Sequence, residues 1–349
     1  MYVLQSVIIP IFNGSHWIDN CFEHIFVQTC IGKLAVEICI CDDSSTDNTL
    51  ELLYKWEKIF SKKNVRLNVF QNSSGKPSGV GYAKNRAVEI STGEYLCFQD
   101  VDDVMLPNRI LQQYNITKDI GDNHIVGSKF KRIPENSTVR YTSWANNLTN
   151  EQLNIQIYTA NGPTVIMPTW FLKRAIFDSV GGFSEAGKGT PEDLIFFYKH
   201  LDLGGKIYRV NETLLIYNYH MHATTHTIHE DTIWALRMVQ LETDKINNWK
   251  TFTIWNAGKQ GRKFYKSLSS ENQSKVIAMC DVDQSKIGRF YTPYDQTRRT
   301  NCTPIQIVHF KDTKPPIVIC VKMDLTNGEF EENLKSLHMK EGSDYIYFS

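Results

Sequence analysis

The chain is organised by an alternation: a short apolar run, a turn rich in acids or glycine, then a segment with helical apolar spacing. "SVIIP" (6–10) is an unbroken β-branched run, as expected of a strand covered on both faces. "SHWIDNCFEHIFVQ" (15–28) follows with helical periodicity and Ser15 as a cap. The cycle then repeats. "AVEICICDDSSTDNT" (35–49) reads as a strand ending in an acidic, cap-rich turn, "TLELLYKWEKIF" (49–60) as a helix and "VRLNVF" (65–70) as a strand. "GYAKNRAVEIS" (81–91) is a helix and "YLCFQD" (95–100) a strand. Repeated β-α-β units restrict the chain to a doubly wound, mostly parallel α/β sheet, whose ligands lie beyond the carboxyl ends of the strands. The acidic clusters fall at such ends.

Beyond residue 160 the pattern is less regular until a helix around 229–247, and near 251 it restarts. "FTIWNAGKQGRKFYKSL" (252–268) is strand, glycine-bearing turn and helix; "KVIAMCDVD" (275–283) and "PPIVICVKMD" (315–324) are further strands. With 349 residues the chain has room for two domains. The expected division is 1–228 for the first α/β domain, 229–250 for a connecting helix and 251–349 for a smaller Rossmann-like domain.

Charge narrows the function classes. Lys plus Arg and Asp plus Glu are both 38, so a nucleic-acid partner would have to be met by local patches. Candidates are "KFKR" (129–132), "GKQGRKFYK" (258–266), with Arg262 and Lys263, and Arg298-Arg299; each also reads as an ordinary solvated face. Eight cysteines without a CxxC pair are expected to be buried thiols in a reducing compartment. No run approaches the roughly 18 apolar residues of a membrane span, and the start lacks a basic leader, so a cytoplasmic location without membrane contact is expected.

Four stretches carry chemistry. In "PIFNG" (10–14), Pro10 ends a strand and Asn13-Gly14 turns the chain into a helix. In "CDDSSTDNT" (41–49), Asp42 and Asp43 can bond a base or ribose, or can cap a helix. In "CFQDVDDVMLP" (97–107), Asp100 and Asp102 can reach one hard cation, with Asp103 beside them; such an ion completes its shell with water and substrate phosphates. In "GTPEDLIFFYKH" (189–200), Glu192 and Asp193 fall in a helix's first turn, where acids offset the helix dipole or one of them serves as a general base. His220, His222 and His226 in "YNYHMHATTHT" (217–227) offer nitrogen ligands of the kind manganese accepts, or are satisfied polar residues on a loop. "IWNAGKQG" (254–261), with Asp281 ending the next strand, imitates a dinucleotide fingerprint. Asn256 replaces its first glycine, so a Rossmann-like scaffold without a cofactor is expected.

Taken together, "VIIPIFN", "CDDSSTDNT", "GYAKNRAV", "YLCFQDVDD", "VGGFSE", "PEDLIFFY" and "YNYH" resemble, in order, the motifs of family 2 glycosyltransferases of the GT-A fold, over roughly residues 5–225. The resemblance implies a Rossmann-like, mixed, mostly parallel sheet that binds a nucleotide-diphospho-sugar. It assigns Pro10, Asn13, Asp42, Asp43, Lys84, Asn85, Asp100 and Glu192 to the nucleotide sugar. It assigns Asp102, with Asp100 and His220 (His222 as rival), to Mn²⁺ or Mg²⁺, and Asp193 to the catalytic base. Two departures stand out: Lys84 where the family often has arginine, and Ser44 in place of a glycine, which is expected to be tolerated. "SGVGYAKNRAV", "NGPTVIMPTWF", "FTIWNAGKQGRKFY" and "PPIVICVK" are similar to the queuosine-tRNA galactosyltransferases. This implies UDP-galactose as donor and queuosine-modified tRNA-Tyr as acceptor, with Trp144, Trp170 or Phe171 available to stack on a splayed base. "TWF" reads equally well as core packing. The rival readings are a UDP-N-acetylglucosamine transferase acting on glycans and a non-catalytic nucleotide-sugar-binding protein.

Overall fold

A computed structural model of the chain describes residues 4–221, 223, 227–295, 299–322 and 325–349. The chain divides into two compact units: one runs up to Asn154 and resumes over Gly162–His229, the other comprises Ile155–Asn161 and Glu230–Ser349. The helix expected to connect the domains, Glu230–Asp244, therefore belongs to the second unit.

In the first unit the chain runs β1 (Leu4–Ile11), α1 (Ser15–Phe26), β2 (Ala35–Asp42), α2 (Thr49–Ser61), β3 (Arg66–Gln71), α3 (Val80–Glu89) and β4 (Tyr95–Phe98). It continues through β5 (Val104–Met105), α4 (Arg109–Ile120), β6 (His124–Ile133), α5 (Val139–Asn147), β7 (Phe171–Lys173), α6 (Arg174–Val180), α7 (Glu192–Asp202) and β8 (Lys206–Asn218). Eight strands form one sheet in the order β3-β2-β1-β4-β7-β6-β8-β5. The β1, β2, β3 and β4 pairings are parallel, as is β6 with β8; β7 runs antiparallel to β4 and β6, and β5 to β8. The apolar run of β1 is buried because both faces are covered: Val7 and Ile9 pack with Ile38 and Ile40 against Ile18, Phe22, Leu53 and Phe60 of α1 and α2, while α3 lies against β1 and β2.

The parallel register fixes where the site lies. Ile11 pairs with Asp42, and Ile8 with Phe98, so β1, β2 and β4 release their chains at one edge, and the acidic turns begin there. Pro191 caps α7, which begins at Glu192 as its sequence predicts.

In the second unit, strands Phe252–Trp255, Val276–Asp281, Ile305–His309, Ile317–Ile319 and Tyr345–Tyr347 pair in parallel, and Phe290–Tyr291 adds an antiparallel edge. All eight cysteines are free thiols, and all but Cys302 are buried.

Candidate active site

The turn after β4 is held from below by a buried arginine. Arg109 is fully buried at the start of α4; it donates to the Phe98 carbonyl at 2.7 Å and to Gln99 Oε1 at 2.7 Å, while Gln99 donates to the carbonyls of Asp100 and Asp103. Three carboxylates are thereby fixed in one turn. Asp100, Asp102 and Asp103 each offer an oxygen within 4.8 Å of the others.

The end of β8 closes the turn from the other side. The Asn218 amide donates to Asp103 Oδ1 at 2.9 Å, and its side chain donates to the Asp102 carbonyl at 2.5 Å. Two residues on, His220 Nε2 lies 2.8 Å from Asp102 Oδ2, and the His220 ring stacks on Trp17 with centroids 5.2 Å apart. Asp103 is 1% exposed, and its Oδ2 is buried without a hydrogen bond. Burial, with Asp102 and Asp100 adding, pushes the Asp103 carboxyl well above the ordinary range. Burial also raises Asp100, against the pull of Lys84. Such a set, carboxylate oxygens converging beside an imidazole nitrogen with one orphaned oxygen, fits a divalent cation. His222 and His226 lie outside the described residues.

A buried ion pair also acts on Asp100 through its charges. Lys84 Nζ contacts Glu192 Oε1 at 2.7 Å, with side chains 1% and 9% exposed. A lysine so placed keeps its charge because Glu192, Asp100 and Asp193 together outweigh its desolvation. Next to it, Asp193 accepts from its neighbour's amide, Leu194, at 2.7 Å. Burial and the Glu192 charge push Asp193 up to about 6, with Lys84 opposing. The site thus couples an acid cluster, a buried cation and a carboxylate poised to titrate near neutrality.

Several residues assigned to the nucleotide sugar have hydrogen-bond partners within the chain. Asp43 accepts from the amides of Ser78 and Gly79, both at 2.8 Å, and from Asn72 Nδ2 at 2.7 Å, so its carboxylate shapes the 72–79 loop. Asp42 is fully buried and neither oxygen has a well-formed hydrogen bond; burial raises it, and the Ser45 hydroxyl and amide oppose. Asn85 spans from the Phe183 backbone to Glu185 and so fixes the 183–185 turn. That turn touches α3 so closely that a Cβ on Gly81 would sit 2.1 Å from the Ser184 carbonyl oxygen. Asn13 is exposed beside Pro10; it takes the left-handed conformation (φ 52°), and its Oδ1 accepts from the Thr46 amide at 2.8 Å. Ser44, in the glycine position, is also left-handed (φ 66°), and its hydroxyl offsets the strain by donating to the Asn72 carbonyl at 2.8 Å.

The acceptor residues expected from "TWF" are corrected. Trp170 and Phe171 are both fully buried; Trp170 donates to the Val165 carbonyl and packs among Phe183, Phe196 and Phe197. Neither can offer a face to a base. Trp170→Ala is expected to cost about 3–5 kcal/mol, seen as a lowered urea midpoint, because a large core side chain leaves a cavity. Arg262 and Lys263 are exposed, with Arg262 over Tyr291 and Lys263 over Trp234 and 3.3 Å from Asp231. In the second unit the Asp281 carboxylate is taken up by the Ala257 amide and Lys286, and the Asn256 side chain accepts from the Gly258 amide.

Arg109 and Asn218 escape a reading from composition and spacing. Asn218 has a signal: it sits two positions before His220 in "YNYH", on the same face of an extended strand.

A family model for glycosyl transferase family 2 matches residues 6–181, just over half of the chain. The glycosyltransferase GlyG of Streptococcus pneumoniae serotype 4 is 26% identical over 257 residues, 71% of this chain and 81% of that protein. A poly(ribitol-phosphate) beta-glucosyltransferase of Bacillus spizizenii is 34% identical over 114 residues, which are 33% of this chain and only 17% of the longer relative. The crystal structure of S. aureus TarS 1-349 in complex with UDP-GlcNAc superposes with a TM-score of 0.52 at 19% identity, covering 78% of this chain and 72% of that one, a likeness of fold. No helix among the described residues is long and apolar enough to cross a membrane.

Proposed function

Because the chain belongs to glycosyl transferase family 2, with the GT-A fold, we propose that it is an inverting, metal-dependent hexosyltransferase that moves galactose from UDP-galactose onto a cyclopentenediol hydroxyl of queuosine in tRNA-Tyr. The observation that carries the transferase chemistry is that Asp193, raised to about 6, is close enough to add its charge at Asp100 of the Asp100–Asp102–Asp103 cluster, where His220 lies 2.8 Å from Asp102. The donor and acceptor rest on the similarity of "NGPTVIMPTWF" and of the second-unit segments "FTIWNAGKQGRKFY" and "PPIVICVK" to the queuosine-tRNA galactosyltransferases.

Asp102, His220 and Asp100 would hold the divalent ion, Mn²⁺ or Mg²⁺, which as a Lewis acid stabilises the charge that develops on the leaving diphosphate. Asp103 and Asn218 orient that set, and Arg109 anchors the turn carrying it. An acceptor hydroxyl is too weak an acid to attack unaided, so Asp193 accepts its proton as the new C–O bond forms at the anomeric carbon. Lys84 stays charged beside Glu192 and opposes the upward shift of Asp193.

The test is purified protein with queuosine-containing tRNA, queuosine-free tRNA and a panel of nucleotide sugars, read by mass spectrometry of the digested nucleosides. The expected result is one hexose on queuosine, from UDP-galactose in preference to UDP-N-acetylglucosamine. Hexose transfer indifferent to queuosine, or none from any donor, would overturn the substrate assignment.

A further inference from the structure

One cation of the first unit is held in a way the reaction so far does not use. Arg132, near the end of β6, makes no hydrogen bond or ion pair to a carboxylate among the described residues, and its Nε is buried without a partner. Four aromatic rings surround it instead: Tyr217 with its centroid 4.5 Å from the guanidinium carbon, Tyr141 and Tyr219 at 5.3 Å, and Phe130 at 5.7 Å. Ring faces stabilise a guanidinium without consuming the N–H donors in its plane. The residue is partly exposed, so its terminal nitrogens remain available to a ligand.

Its place relative to the chemistry follows from the alternation of an extended strand. Arg132 pairs in register with Tyr217, and Ile133 with Asn218. Asn218 and His220 turn to the acid cluster, while the intervening Tyr217 and Tyr219 turn to Arg132. Tyr141 links the same cage to the base. Burial pushes its hydroxyl up to about 12, with the Arg132 charge lowering it and the Asp193 charge raising it, so one phenol feels both groups.

We propose that Arg132, held by Tyr141, Tyr217 and Tyr219, is an acceptor subsite that grips a phosphodiester of the RNA beside the nucleotide being glycosylated. A planar fork with unspent donors matches two phosphate oxygens. The cage is built from residues that alternate along the chain with Asn218 and His220 of the candidate cation site. The inference rests on the RNA-acceptor reading above.

The test uses the full chain with UDP and Mn²⁺ and a short anticodon stem-loop RNA lacking queuosine, followed by fluorescence anisotropy across a salt series. Arg132→Gln is expected to weaken RNA binding roughly tenfold, the scale of one charge-assisted hydrogen-bonded contact. It should also lower the slope of log K against log salt by about one. UDP binding by calorimetry should be unchanged, which also certifies the fold, and Arg132→Lys should fall between because it keeps charge but loses the fork. RNA binding by Arg132→Gln equal to wild type, or a parallel loss of UDP binding, would overturn the subsite. RNA binding that depends on Arg132, without hexose transfer to queuosine, overturns the substrate reading and leaves the subsite standing. Transfer that proceeds with RNA binding indifferent to Arg132 does the reverse, and wild-type protein that binds no RNA overturns both.

Discussion

Asp193→Asn should lower kcat by on the order of 10²–10⁴-fold, the usual contribution of a positioned general base, while leaving UDP affinity within a factor of about two. The substitution is close to isosteric, and the asparagine oxygen can still accept from the Leu194 amide, so the helix start is preserved. The pH profile separates a base from a merely structural acid. In the wild-type protein Asp193 is displaced upward to about 6. Only its ionised form can take a proton, so kcat/KM should rise with pH through a limb near 6 and flatten above 7. Residual turnover of Asp193→Asn should lack that limb. Full activity in the variant, or an unchanged limb, would remove Asp193 from the mechanism and point to another acceptor of the proton.

The second large effect belongs to the acid turn. Asp102→Ala should abolish tight Mn²⁺ binding, measured by electron paramagnetic resonance titration, and reduce turnover by roughly 10²–10³-fold even in excess metal, the several kcal/mol expected of a lost Lewis acid. Chelation of the wild-type protein should give the same loss, and Mn²⁺ should restore it. The same substitution also releases His220 from its 2.8 Å contact, so the Trp17–His220 stack should loosen and tryptophan fluorescence should change with it. Wild-type activity that survives exhaustive chelation would sink the metal assignment, because three acids within 4.8 Å would then need another explanation.

How much of the molecule is legible in its sequence depends on whether the information is local. The β-α-β core is, because β1 to β4 and α1 to α3 each carry their own period and end in their own turn signal. The acid turn and the Glu192-Asp193 pair are likewise visible as dense charges beside apolar runs. What escapes is anything set by long-range contact. The end of β6 reads as a basic patch, since "KFKR" shows charges on both sides of Phe130 and gives no sign that this ring is 2% exposed. "TWF" holds two large aromatic residues with no local cue to which face is covered, and the neighbours that bury Trp170 come from 183 to 197. "CDDSS" shows an acid at a strand end, but nothing in it reveals that the amides of Ser78 and Gly79 donate to Asp43. Its partners lie 35 and 36 residues away.

The end of β8 and the two residues that follow it have an implication for how the family can vary. Odd positions there carry the tyrosines of the arginine cage, and even positions carry Asn218 and His220. The spacing between cation site and acceptor cage is therefore a parity, set by a single backbone step. Substitutions in this stretch can be graded, since a tyrosine can become another ring and the histidine another ligand. A one-residue insertion or deletion cannot be, because it would exchange the two rows and present rings to the metal and a ligand to the cage. Chain length, more than residue identity, is what natural drift must leave untouched at this strand end.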